Sequence, residues 1–164
     1  MSDTSASTSD RPIVVGTDGS PTARHAVLLA LREAQLRGTA LRAVCAYDYG
    51  PDRYAGYEWL TAADHAGLYV QLRDIAEQAV TETVAELQKE LGGTPVEVEV
   101  VVGPGRPSQV LLQASADACL LVVGSRGASS WGRLRLGSTS TEVVHHAHLP
   151  VLVVPGDESN AAQL

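Results

Sequence analysis

VVGSRGASSWGRLRLGSTSTE, residues Val122 to Glu142, reads as the end of a buried strand, a glycine-bearing loop and the start of a helix. Gly124 and Gly127 close the apolar run; nine residues follow, and then Gly137 and Ser138 stand before the helix. Glycines leave backbone N–H groups unobstructed, and a helix start favours negative charge. The stretch is therefore a strand–loop–helix unit whose loop is suited to seat phosphates.

Outward from it, the same alternation continues. Cys119 to Val123, CLLVV, is a fully apolar strand, preceded by a short helix over Pro107 to Ala116. Val96 to Val102, VEVEVVV, alternates at first, as an edge strand with one exposed face does. Gly103-Pro104-Gly105 lacks the third glycine of a dinucleotide fingerprint and reads as a turn. After the glycine loop come a helix over about Thr139 to Ala147 and a last strand over Pro150 to Val154.

Toward the N-terminus, Pro12 to Thr17, PIVVGT, is a short buried strand that stops at Asp18-Gly19. Ser20 before Pro21 reads as an N-cap with proline in the first turn, and that helix ends near Gly38. Leu41 to Tyr47, LRAVCAY, is a second strand. Residues 48–63 form a loop carrying Tyr49, Tyr54, Tyr57 and Trp59, so that the aromatic stretch 47–59 either covers a ligand, meets a partner or packs over the sheet edge. A long amphipathic helix over 64–91 follows, with Leu68, Leu72, Ile75, Ala79, Thr83 and Leu87 at helical spacing, Val84 and Leu91 widening the stripe, and Gly92-Gly93 ending it. The order βαβαβαβαβ predicts an α/β fold: a mostly parallel sheet with helices on both faces. In such sheets ligands sit beyond the carboxyl ends of the strands, which puts Asp18 and Gly124 on one rim.

The chain of 164 residues suits one domain over 11–155, with polar tails at 1–10 and 156–164, and buries about two-thirds of its unfolded surface. A formal net charge of −7 argues against nucleic acid and anionic membranes as partners. No apolar run nears the roughly 18 residues of a membrane span. A polar N-terminus without the pattern of a signal peptide, and only Cys45 and Cys119, lead to the expectation of a cytoplasmic protein with reduced, buried cysteines. His145, His146 and His148 have the spacing of metal ligands, but cationic or donor side chains are also favoured at a helix C-terminus.

Taken alone, glycines after a strand make turns and a serine before a helix caps it. The loop here offers more. It carries Arg126, Arg133 and Arg135, and 24 residues between Asp117 and Glu142 contain no carboxylate, so an acidic chain is locally electropositive. The Ser125, Ser138 and Ser140 hydroxyls add donors. Thr139-Ser140-Thr141-Glu142 reads as a capping box, in which Glu142 competes with phosphate unless it is turned aside. There is no GxxxxGK[ST], and the single lysine, Lys89, lies mid-helix, so this is not a P-loop.

Gly124-x-x-Gly127, nine residues, then Gly137-Ser138 resembles the ATP-binding signature of the universal stress protein family. The resemblance takes in VVGTDGS (Val14 to Ser20), VVGSRG (Val122 to Gly127) and HHAHLPVLVVP (His145 to Pro155), and covers about residues 11–155. It implies an open five-stranded parallel sheet in the order 3-2-1-4-5, adenine-nucleotide α-hydrolase-like, and a homodimer through the last strand, Val151 to Val154. It also implies a pocket for ATP with Mg²⁺. Thr17 and Asp18 would meet the adenosine, with Asp18 near the ribose or a metal-linked phosphate. Ala46 would line the adenine and Val123 pack beside it. Gly124, Ser125, Arg126 and Gly127 would bracket the ribose and α-phosphate, and Gly137, Ser138, Thr139 and Ser140 would hold the β- and γ-phosphates.

The expectation that results is a nucleotide-dependent regulator in stress response, acting through dimer or partner contacts. Hydrolysis needs a water-positioning or basic group and relief of transition-state charge. Arg133 or Arg135 offers charge, but the one candidate base is Glu142, which the expected cap occupies, so slow ATPase or autokinase activity stands as the enzymatic alternative. A cAMP-binding member and an interaction module without nucleotide are the others.

Overall fold

The computed structural model describes residues 11–47, 61–126 and 136–156. The tails 1–10 and 157–164, loop residues 48–60, and Gly127, Arg133 and Arg135 lie outside the described residues. The described residues form nine elements in the order β1 Ile13–Gly16, α1 Pro21–Arg37, β2 Leu41–Tyr47, α2 Ala62–Leu91, β3 Val98–Pro104, α3 Pro107–Ala114, β4 Leu120–Gly124, α4 Ser138–His146 and β5 Val151–Val154. The five strands make one parallel sheet in the order β3-β2-β1-β4-β5. The alternating pattern of residues 96–102 is thus explained by an edge position, where proline at 104 is also tolerated.

The period of two divides the core. Ile13 and Val15 of β1, Leu41 and Ala43 of β2, and Leu120 and Val122 of β4 face α1 and α2 on one side. Val14, Val44, Leu121 and Val123 face α3 and α4 on the other. Such division follows from the connections: the first two crossovers run from β1 outward to β3, and the last two return across the sheet to β4 and β5. Right-handed crossovers in opposite directions must lie on opposite faces.

Local chemistry sets the helix ends. Ser20 caps α1, accepting from Ala23 N–H at 3.2 Å, with proline in the first turn. Gly38 ends α1 in the left-handed region (φ 64°), where its N–H reaches the Ala34 and Gln35 carbonyls. Thr61 caps α2 in a capping box with Asp64, so that helix starts at Ala62, two residues before the expected 64. α3 stops at Ala114, two residues early, because Ser115 turns the chain.

The apolar stripe of α2 is used only in its last turns. Val80, Val84 and Leu87 are buried, whereas Ile75 is 66% exposed. The helix is 30 residues long and overhangs the sheet, so its first turns have little strand beneath them. Cys45 and Cys119 are half-buried rather than fully enclosed, and both are free thiols.

Candidate functional site

Beyond the carboxyl ends of β1 and β4, where the sheet order reverses, lies a cleft of about 340 Å³. Its position follows from topology: α1 leaves β1 on one face and α4 approaches from the other, so nothing crosses the gap between them. Thr17, Asp18, Ala46, Val123, Gly124, Arg126, Gly137, Ser138, Thr139 and Ser140 all line it. The structure therefore brings together ten of the twelve residues singled out in the sequence. Ser125 lies in the same loop without lining the cleft, and Gly127 is outside the described residues.

The floor is apolar and on the α3/α4 face. Val44 and Ala46 are two apart on β2 and so point the same way, with Val123 beside them from β4. Leu111 and Pro107 of α3 form one wall. Gly16, Ala23, Val44, Pro107 and Leu111 were not anticipated. Val44 could have been found from the period of two. Pro107 and Leu111 could not, since only the sheet order tells that α3 crosses over β1 and β2.

The polar rim comes from three turns. Asp18 follows β1, and its Oδ1 accepts from Ser20 N–H at 3.0 Å, which fixes the carboxylate against the start of α1. Thr17 Oγ1 accepts from Gly19 N–H at 3.3 Å in the same turn. The carboxylate is also felt below: burial, and then the nearness of Asp18, push the Cys45 thiol above its ordinary value. Among the cleft-lining residues described, Asp18 is the carboxylate and Arg126 the cation.

The second turn follows β4. Gly124 is there because a Cβ would stand 3.0 Å from Thr22 Cγ2 and 3.3 Å from the Arg126 carbonyl. Ser125 then bridges two elements through its main chain. Its N–H donates to the Val154 carbonyl at 2.7 Å, and its carbonyl accepts from Gly137 N–H at 2.8 Å.

The third turn is the start of α4. Its N-cap is Gly137, which carries no side chain, and no side-chain hydrogen bond caps the helix. The capping box expected over Thr139 to Glu142 is therefore absent. With the helix starting at Ser138, Glu142 is two residues too far along to reach the cap. Glu142 instead accepts a hydrogen bond from Ser108 Oγ on α3 and lies 4.0 Å from Arg106. Ser140 Oγ donates to the Gly137 and Ser125 carbonyls at 3.0 and 3.2 Å. The first-turn amides of α4 thus face the cleft with the positive end of the helix dipole and no carboxylate over them.

Other candidates fall outside this cleft. His145, His146 and His148 are exposed at the end of α4, and no cluster of three or more metal-ligating side chains exists among the described residues. Of the aromatic stretch 47–59, Tyr47 is described. Its ring meets Tyr69 of α2 edge-on, with centroids 5.3 Å apart, and burial and a hydrogen bond to Tyr69 push its phenol up to about 12. Among the described residues no helix is long and apolar enough to cross a membrane.

The arrangement can hold an anion at α4, a flat apolar group over Ala46 and Val123, and a hydroxyl or cation at Asp18. Comparisons with known proteins agree with that reading of the fold. Residues 11–155 match the model of the universal stress protein family. A universal stress protein of Mycobacterium tuberculosis is 34% identical over 163 residues, which is 92% of this chain and 50% of that protein. The chain spans about half the length of the curated relatives it matches. Among solved structures, the hypothetical protein MJ0577 superposes with a TM-score of 0.71 at 22% identity, covering 91% of this chain and 98% of the other. A universal stress protein crystallised in complex with cAMP gives a TM-score of 0.61 at 28% identity, covering 90% and 98%.

Proposed function

The chain belongs to the universal stress protein family, and from that premise we propose that it is an ATP-binding regulator of the stress response. It acts in the cytoplasm, through a homodimer or a partner contact that depends on the bound nucleotide. The observation that carries this reading is the cleft itself: two apolar strand ends, one carboxylate and an uncapped helix start on a single rim. A phosphate at α4 would receive the amides of Ser138, Thr139 and Ser140, with Gly124, Ser125, Arg126 and Gly127 closing over the ribose and α-phosphate. Adenine would lie over Ala46 and Val123, and Thr17 and Asp18 would meet the sugar.

Magnesium fits only in company with the phosphates, since the described residues offer Asp18 but no ligand cluster. Bound there, the ion would screen phosphate charge, with Asp18 the carboxylate to reach it. Turnover is expected to be slow. Glu142 is engaged by Ser108, and Asp18, held through Oδ1 by the Ser20 amide, is assigned to the sugar or the ion, which leaves no carboxylate for an attacking water in this reading. The relative that was crystallised with cAMP supports an adenine nucleotide as the ligand class and makes cAMP the competing choice.

Calorimetric titration with ATP, ADP, AMP and cAMP tests the proposal. ATP is expected to bind most tightly, and Asp18→Ala to weaken it by about tenfold, the usual loss of one charge-assisted contact. Tighter binding of cAMP than of ATP would reassign the ligand, and a flat titration with all four would remove the nucleotide.

A further inference from the structure

Beside the cleft, two side chains that do not line it converge on one carboxylate that does not line it either. Ser108, in the first turn of α3 and 3% exposed, donates its hydroxyl to Glu142 Oε2. Arg106, immediately before α3, brings Nη2 to 4.0 Å from Glu142 Oε1. Glu142 is the fifth residue of α4, and helical side chains lean toward the N-terminus. Its natural reach is therefore back over the turn that carries Ser138 and Thr139, both of which line the cleft. At the end of a stretch of 24 residues free of carboxylates, this negative charge sits a single turn from the anion seat. The helix does not use it as a cap, because the N-cap is Gly137 and Glu142 lies two residues past the position that reaches back to a cap amide.

We infer that Ser108 and Arg106 are positioning residues for phosphate binding: they draw Glu142 onto α3 and keep its charge off the first turn of α4. Released, Glu142 becomes a competitor built into the helix, reaching the hydroxyls that the phosphates would use. The inference rests on the nucleotide reading of the cleft and adds a determinant of how much negative charge the ligand can carry.

The test is calorimetric titration of the full chain with adenosine, AMP and ATP, for wild type, Ser108→Ala, Glu142→Gln and the double variant. Ser108→Ala is expected to weaken ATP by about threefold to tenfold, the effect of one carboxylate a turn away in partly screened surroundings. The loss should be smaller for AMP and absent for adenosine. Glu142→Gln by itself should not weaken ATP, and in the double variant it should restore wild-type affinity. A loss equal for adenosine and ATP, or one that Glu142→Gln does not relieve, is what a packing defect produces and would overturn the inference. Wild-type ATP affinity in Ser108→Ala would overturn it as well. Should Ser108→Ala fail to fold, the exposed Arg106→Gln takes its place, with the same charge-graded loss relieved by Glu142→Gln. A wild type that binds neither AMP nor ATP overturns the nucleotide reading and this inference with it; a wild type that binds, with variants that do not discriminate, overturns the inference only.

Discussion

Gly124 is a residue whose type is dictated by its surroundings on two sides. A methyl group there would press on Thr22 of α1 at 3.0 Å and on the Arg126 carbonyl at 3.3 Å, and the second contact is backbone. Gly124→Ala should therefore destabilise the fold by about 1–3 kcal/mol, the ordinary cost of overpacking, and also displace the loop that frames the cleft. Chemical denaturation measures the first effect and ATP titration the second. A variant with wild-type stability would mean that α1 yields freely at this point. The glycine was legible in the sequence because it ends an apolar run; the reason for it was not, since Thr22 lies about a hundred positions away in the chain. Glu142 teaches the opposite lesson. Its sequence neighbours spell a capping box, but the helix begins two residues earlier than the pattern implies, and the partner that claims the carboxylate, Ser108, is on another helix. Local spelling could not reveal a long-range bond.

Arg42 shows how one side chain can hold several elements in register. From β2 it reaches Glu99 on the paired strand at 2.6 Å, Asp117 at 2.7 Å, and the Ala114 carbonyl that ends α3 at 2.7 Å. Its side chain is 18% exposed, so the guanidinium is screened less than its two acidic partners. Arg42→Met should lower stability by about 1–3 kcal/mol, chiefly by leaving the end of α3 without a donor. The hydrogen bond from Arg42 holds the Asp117 carboxyl below its ordinary value of 3.8. A carboxyl depressed in the folded state adds stability above its unfolded value, and that stability is lost as pH falls through the folded one. The gap in stability between wild type and Asp117→Asn should thus be present at neutral pH and close as pH falls through 3.8 and below. It will be small, because Asp117 is largely exposed. Denaturation midpoints of both proteins across that range check the convergence. A gap that widens on acidification would contradict it. Strands and helices themselves were readable almost to the residue where caps and breakers mark them, as at Ser20, Gly38 and Gly92. They were less so in α2, whose periodic stripe continues past the sheet that was supposed to bury it: Leu68, Leu72 and Ile75 keep helical spacing, but only the last turns find a core.

The sheet order was accessible by resemblance rather than by pattern, since alternating strands and helices dictate a parallel sheet without saying which strand sits at its edge. The edge has a consequence for assembly. Among the described residues β5 leaves one side unpaired, with Leu152 on it at 37% exposure and Val144 of α4 at 47%. A second copy paired along Val151 to Val154 would cover that side, as the proposed homodimer requires. Sedimentation should find a dimer for the wild type and a folded monomer for Leu152→Glu; a monomeric wild type, or an undisturbed dimer in the variant, would exclude this edge. The same edge is tied to the cleft by the main chain of Ser125, which takes the Val154 carbonyl with its N–H and offers its own carbonyl to Gly137. Two hydrogen bonds in series leave little slack between the first turn of α4 and the end of β5. If filling the cleft alters how firmly the edge pairs, thermodynamic linkage makes the exchange symmetrical: pairing must alter the grip on the nucleotide by the same factor. Protein concentration then becomes a variable of ligand affinity, and a dilute and a crowded population of this chain would read the same nucleotide level differently.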